Sequence, residues 1–143
     1  DRQMIAESIE VSPQGSALPA GLREAIVQSS VCTDVAVCRV FLQEDGETAA
    51  VVGDGCAPPL VAREEQTEPG NYCSINVEPF VFEDGAWYLA MYAAQESPDM
   101  TFEQERESLS RERAAIERGD VMVGPSRKRE IYIDGKSVSR PFD

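Results

Sequence analysis

Four cysteines, Cys32, Cys38, Cys56 and Cys73, are the residues of this chain best equipped for covalent or metal chemistry, and the sequence contains no histidine. Together these facts remove most of that chemistry. A zinc site shows a close C-x2-4-C pair or a histidine pair, and neither is present. A cysteine or serine nucleophile ordinarily takes its activation from a histidine base, which this chain cannot supply. A thioredoxin-like C-x-x-C is also missing. What remains is a structural role, two disulfides formed in an oxidising compartment, with buried free thiols as the alternative.

The pairing follows from where the elements must lie. In "VCTDVAVC", residues 31–38, the two cysteines can meet only if the chain turns at Thr33-Asp34, because six extended residues would part their Cα atoms by roughly 20 Å. Cys56 ends one β-favouring run and Cys73 begins the next, so both fall at the same end of a sheet. Of the three possible pairings, Cys32 with Cys38 and Cys56 with Cys73 is the expected one.

Around the cysteines, three segments share one turn device. "VAVCRVFLQEDGETAAVVGDG", "SINVEPFVFEDGAWYLAMYAA" and "REIYIDGKSV" each place an Asp-Gly pair between two β-favouring runs. Asp-Gly accepts the positive φ angles of tight hairpin turns, so three hairpins are expected, two central and one C-terminal. Residues 4–11 form a weaker first strand, ended by Ser12-Pro13-Gln14-Gly15. "LPAGLREAIVQSS" predicts a short helix with Pro19 in its first turn and Leu22, Ala25 and Ile26 facing inward. The clearest helix runs over 102–118, capped by Asp99 or Thr101 and stopped by Gly119, with Phe102, Leu109 and Ile116 as its seat. Trp87, Tyr88 and Tyr92 alternate with apolar residues and are expected in the core. The fold class is therefore α+β: an antiparallel sheet packed with one short and one longer helix. With 143 residues, the chain suits a single domain, 1–143.

Charge is the most distinctive bulk property. The chain has 26 acidic and 13 basic residues, a net charge of −13. The surplus is confined: residues 40–99 contain twelve acids and one base, Arg63, whereas the remaining segments nearly balance. Nucleic acid is excluded as a partner, because phosphate binding needs a basic surface. Anionic membrane is disfavoured for the same reason, and no apolar run reaches the roughly 20 residues that span a bilayer. In an antiparallel meander the first two hairpin tips emerge at one end, gathering Glu44, Asp45, Glu47, Glu83 and Asp84. Glu64, Glu65 and Glu68 lie at the other end, in a proline- and acid-rich loop between Cys56 and Cys73, with Tyr72 as an aromatic neighbour. Such acids serve as a solvated edge, as a surface for a cationic protein, or as calcium ligands. Neither tip has the D-x-D-x-D-G spacing that wraps calcium, so calcium is the weaker of the two functional readings and no cofactor is expected. The cluster Arg127-Lys128-Arg129 is too short for a nucleic-acid patch and is expected in a solvated turn or paired with the acidic middle segment.

For catalysis, only Asp, Glu, Tyr or Lys could move protons, and no carboxylate pair stands out. The P-loop pattern is absent, and Gly53-Asp54-Gly55 lacks the rest of a dinucleotide fingerprint. A non-catalytic protein is expected. Small, acidic, disulfide-stapled α+β proteins that plug basic secreted enzymes, such as lysozyme inhibitors and toxin immunity proteins, share these bulk properties, although no motif carries the analogy. The first expectation is therefore a periplasmic or secreted inhibitor or immunity protein, its signal peptide already removed, that blocks a basic peptidoglycan hydrolase or toxin. The contact residues would come from the tip and loop acids and Tyr72. The alternative is an accessory domain, cystatin- or NTF2-like, that binds a small ligand or partner.

Overall fold

The computed structural model describes residues 9–33, 35–56, 61–68, 70, 72–90, 99–124 and 130–137. In chain order these form β1 (Ile9–Ser12), α1 (Leu22–Ser29), β2 (Val37–Leu42), β3 (Thr48–Asp54), a 3-10 turn (Arg63–Glu65), β4 (Ile75–Glu83) and β5 (Ala86–Leu89). Then follow α2 (Phe102–Glu117), β6 (Val121–Val123), β7 (Ile131–Ile133) and β8 (Lys136–Ser137). The expected α+β class holds, with two helices and both central hairpins in place.

The larger sheet has the order β1-β2-β3-β4-β5. Strands β2 to β5 are the antiparallel meander. Strand β1 pairs in parallel with β2, and α1 carries the chain between them. The sheet is therefore mixed rather than purely antiparallel. Every residue of the central strand β3 is buried, because both faces of the sheet are covered. One face packs Val40, Val51, Phe80 and Trp87 against Leu22 and Ile26 of α1. The other packs Val52 and Val77 against Ala115 and Ile116 of α2 and Ile131 and Ile133 of β7. The C-terminal hairpin is not an extension of the main sheet: β7 and β8 join β6 in a separate sheet of three strands, and β6 was not anticipated from the sequence.

Turn chemistry explains these connections, with one departure from expectation. At the β4–β5 tip, Asp84 and Gly85 have φ of 54° and 80°, and at the β7–β8 tip Asp134 and Gly135 have 57° and 74°. Both pairs are positive, as a two-residue type I′ turn requires. The β2–β3 tip is built differently. Of its Asp-Gly pair only Gly46 has positive φ, while the Asp45 carboxylate accepts hydrogen bonds from the backbone of Glu47 and Thr48 and from the Thr48 hydroxyl. There the side chain, rather than a left-handed aspartate, shapes the loop. Pro79 lies within β4 without breaking the sheet. The β5 ladder ends at the Phe80–Leu89 pair, and beyond it the Pro79 carbonyl accepts from the Ala90 amide.

Helix α1 begins after Gly21, so Pro19 precedes the helix instead of opening it. Leu22 and Ile26 are fully buried, as expected. Thr101 caps α2, forming a reciprocal pair of hydrogen bonds with Gln104, and Gly119 at φ 84° ends it. The anticipated seat of α2 is correct at one end only. Ile116 is buried with Ala115, but Phe102 and Leu109 are half-exposed. A seven-residue repeat falls about 20° short of two helical turns, so across two repeats Phe102 rotates away from the line of Ile116. Of the three aromatics assigned to the core, Trp87 is buried and meets Phe82 at 5.6 Å between ring centroids. Tyr88 is 53% exposed, since the alternation of β5 turns it away from the face that buries Trp87. Tyr92 and the cluster at 127–129 lie outside the described residues.

Candidate functional site

The acids expected to face solvent divide into those displayed and those consumed by the fold. The two tips do emerge side by side, because Thr48 pairs with Val81 and the Phe82 amide donates to the Glu47 carbonyl at 2.8 Å. Glu44, Glu47, Glu83 and Asp84 are exposed on that rim. Asp45 is exposed too, yet its carboxylate is already engaged with Thr48 and the Glu47 amide.

At the opposite end, both disulfides form the expected pairs. Cys32–Cys38 has its Cα atoms 5.6 Å apart and Cys56–Cys73 has 5.1 Å. The first turns the segment after α1 so that the Val31 carbonyl crosses directly over Gly53, where a β-carbon would collide with it. The second ties the base of the acidic loop, and a parallel bridge between Ala62 and Cys73 closes it further, the Cys73 amide donating to the Val61 carbonyl at 3.1 Å.

The loop is docked on α2 instead of protruding, and arginines dock it. Arg113 donates through Nη1 to Asp54 Oδ2 at 3.0 Å and through Nε to Glu64 Oε2, while its Nη2 lies 3.5 Å from Cys56 Sγ. The carboxylate side chains of Asp54 and Glu64 are only 12% and 9% exposed. Glu64 is therefore an internal ion-pair partner rather than one of the displayed acids. Arg113 was not singled out from the sequence, and its signal there was faint. It is one of several arginines on a charged helix, and only the loop's return brings carboxylates to it.

A second arginine, Arg63, organises the loop's outer face. Its guanidinium stacks 4.0 Å from the Tyr72 ring centroid, reaches to 5.4 Å of Phe102, and pairs with Glu105 at 3.5 Å. Arg106 approaches Phe102 from the helix at 5.7 Å and pairs with Glu103 at 3.1 Å. The Nε of Arg63 and of Arg106 are buried with no hydrogen-bond acceptor among the described residues, so each guanidinium is held through Nη1 on its carboxylate and by its ring contact. Tyr72, Glu65 and Glu68 remain exposed around this stack.

One further acid is chemically distinctive. Glu78 projects from β4 on the face of Phe80 and is paired in register with Val51, both fully buried. Half-buried among apolar neighbours, its carboxyl is pushed above the usual carboxylate range by desolvation. Among the described residues it has neither an ion pair nor a hydrogen bond. A raised pKa in the folded state means that the folded protein holds this proton more tightly than the unfolded chain. The contribution is full below the ordinary carboxylate pKa and is lost as pH rises through the raised one. Glu78→Gln should therefore raise the urea midpoint at pH 7, with the advantage vanishing as the pH falls below about 4. An advantage independent of pH would show that packing rather than charge is responsible.

Between α2 and the β7–β8 hairpin, Arg111, Glu112, Ile133 and Lys136 help to line a pocket of about 40 Å³, room for two or three waters rather than for a ligand of ordinary size. Among the described residues, no three His, Cys, Asp or Glu side chains converge as metal ligands would. No helix among them is long and apolar enough to cross a membrane. The two disulfides are those of a protein that matures in an oxidising environment. Comparison with known proteins supplies no relative to set beside this geometry: no family model matches the chain, and neither a curated protein nor a solved structure matches it significantly.

Proposed function

We propose that the protein is a non-catalytic, periplasmic or secreted binding protein that docks on and blocks a basic partner, best fitted by a cell-wall-degrading or toxin enzyme. The reading is carried by one observation. The surplus charge of residues 40–99 stays largely on the surface: once Asp54 and Glu64 are taken up by Arg113, exposed carboxylates still stand at both ends of the sheet, while the segment's one base lies stacked between aromatic rings. Complementary charge of this kind accelerates encounter and rejects acidic competitors. A peptidoglycan hydrolase suits it, because an enzyme acting on an anionic wall gains from being cationic.

The test is an inhibition assay with two basic wall hydrolases, lysozyme and a basic peptidoglycan amidase, beside an acidic protein as control. Binding and inhibition are expected for a basic enzyme at about 0.05 M salt and should weaken at least tenfold at about 0.5 M, where screening shortens the reach of charge to roughly 4 Å. Absence of inhibition of either enzyme at low salt, or equal binding to the acidic control, overturns the proposal.

A further inference from the structure

We infer that the partner is gripped at the loop end of the sheet, on a patch centred on Tyr72 and flanked by Val61, Met100 and Phe102. Its occupant is a basic protein surface that presents an apolar side chain ringed by lysine or arginine. This rests on the binding reading above and assigns its contact face.

The patch is apolar where the rest of the loop is charged. Val61, Tyr72 and Met100 are 41%, 41% and 45% exposed, three of the six large apolar side chains that stand exposed among the described residues. Two contacts set the patch: the Val61 carbonyl accepts from the Cys73 amide next to Tyr72, and Phe102, the first residue of α2, shares Arg63 with Tyr72, with Met100 two positions before it in the chain. Tyrosine, methionine and arginine are the residue types enriched at the centres of protein interfaces.

Rigidity separates this patch from its rival. Tyr88 and Leu89 are also exposed and lie on β5, near the acidic tips, but β5 is a short edge strand. The Tyr72 ring is held by a guanidinium 4.0 Å away and adjoins a disulfide, so little freedom is left to lose on binding. Charge complementarity then names the occupant. Glu65 and Glu68 are exposed beside Tyr72, and Glu103 and Glu105 stand along α2, so carboxylates outnumber Arg63 and Arg106 around the apolar centre. An apolar knob alone would find a repulsive desolvation cost at that rim, and an acidic surface would be rejected. A knob flanked by cations satisfies both. In this arrangement the tip acids speed encounter from outside the contact face.

The experiment uses the full chain and whichever of the two basic hydrolases it inhibits, with association and dissociation followed separately. Tyr72→Ala should weaken binding about thirtyfold, as loss of an interface hot spot does, chiefly through faster dissociation. Met100→Ser, at a residue 45% exposed, should weaken it several-fold, whereas Tyr72→Phe, which keeps the stack, should bind within threefold of wild type. Circular dichroism and the thermal midpoint check that each variant is folded. A variant carrying Glu44→Gln, Glu47→Gln, Glu83→Gln, Asp84→Asn and Tyr88→Ala should associate more slowly and with less salt dependence, but dissociate within threefold of the wild-type rate. If that variant dissociates faster while Tyr72→Ala and Met100→Ser bind as wild type, the contact face is the tip rim and this inference is overturned, with the inhibitor reading intact. If wild type binds neither basic hydrolase, the reading itself falls, and the inference with it.

Discussion

Replacing Arg113 with methionine is expected to lower the free energy of unfolding by about 3 kcal/mol, toward the lower end of what breaking a buried ion pair costs because the guanidinium is partly solvated. The loss does not come from the attraction alone. Two carboxylates, Asp54 and Glu64, would be left in a nearly dry site with no cation, and the cost of burying an unpaired charge exceeds the worth of the pair that hid it. The design therefore includes a rescue. Adding Asp54→Asn and Glu64→Gln to the Arg113→Met chain removes the stranded charges and should recover more than half of the loss, although Asp54 also accepts from the Cys56 amide at 3.0 Å. Urea unfolding at pH 7 reads both. A loss below about 1 kcal/mol, typical of a surface pair, would mean that the cluster is wet and that the loop is held by its disulfide and the Arg63 stack instead.

Removing the Cys56–Cys73 bridge by alanine substitution is expected to cost about 3 kcal/mol. The cysteines are 17 positions apart, and opening a loop of that size returns roughly this much chain entropy to the unfolded state. The corresponding loss for Cys32–Cys38, 6 positions apart, is about 2 kcal/mol on the same model. A coupling is also expected. Glu64 and Arg63 reach α2 from inside the bridged loop, so the bridge and the Arg113 cluster stabilise one another, and their combined removal should cost less than the sum of the separate losses. Strict additivity would show that the loop stays docked without its tether.

These two predictions mark where the sequence is informative and where it is silent. Local chemistry was legible: Asp84-Gly85 and Asp134-Gly135 dictate their turns, Thr101 its cap, Gly119 its stop, and the strand map the cysteine pairs. What depends on distant segments was not. Glu64 looks like any acid in a proline-rich loop until the fold carries it to Arg113, 49 positions away. Strand β6 has only three residues, too few for periodicity to show, and exists because β7 pairs with it. The parallel pairing of β1 is equally non-local, since nothing in "IEVS" distinguishes an edge beside β2 from one beside β5. Of the candidate contact residues, exposure of Tyr72 was a matter of position, but its stacking against Arg63 required the loop to close.

The disulfide connectivity has a consequence for how the protein is made. Both bridges join cysteines that are consecutive in the sequence, first with second and third with fourth. A chain delivered amino-terminus first into an oxidising compartment exposes Cys32 and Cys38 as a pair before Cys56 has arrived, and each later thiol meets its native partner as its nearest available one. Oxidation in order of arrival is thus already correct oxidation. Consecutive pairing of this kind calls for an oxidant but for no reshuffling, so a chain of this design gains little from a disulfide isomerase.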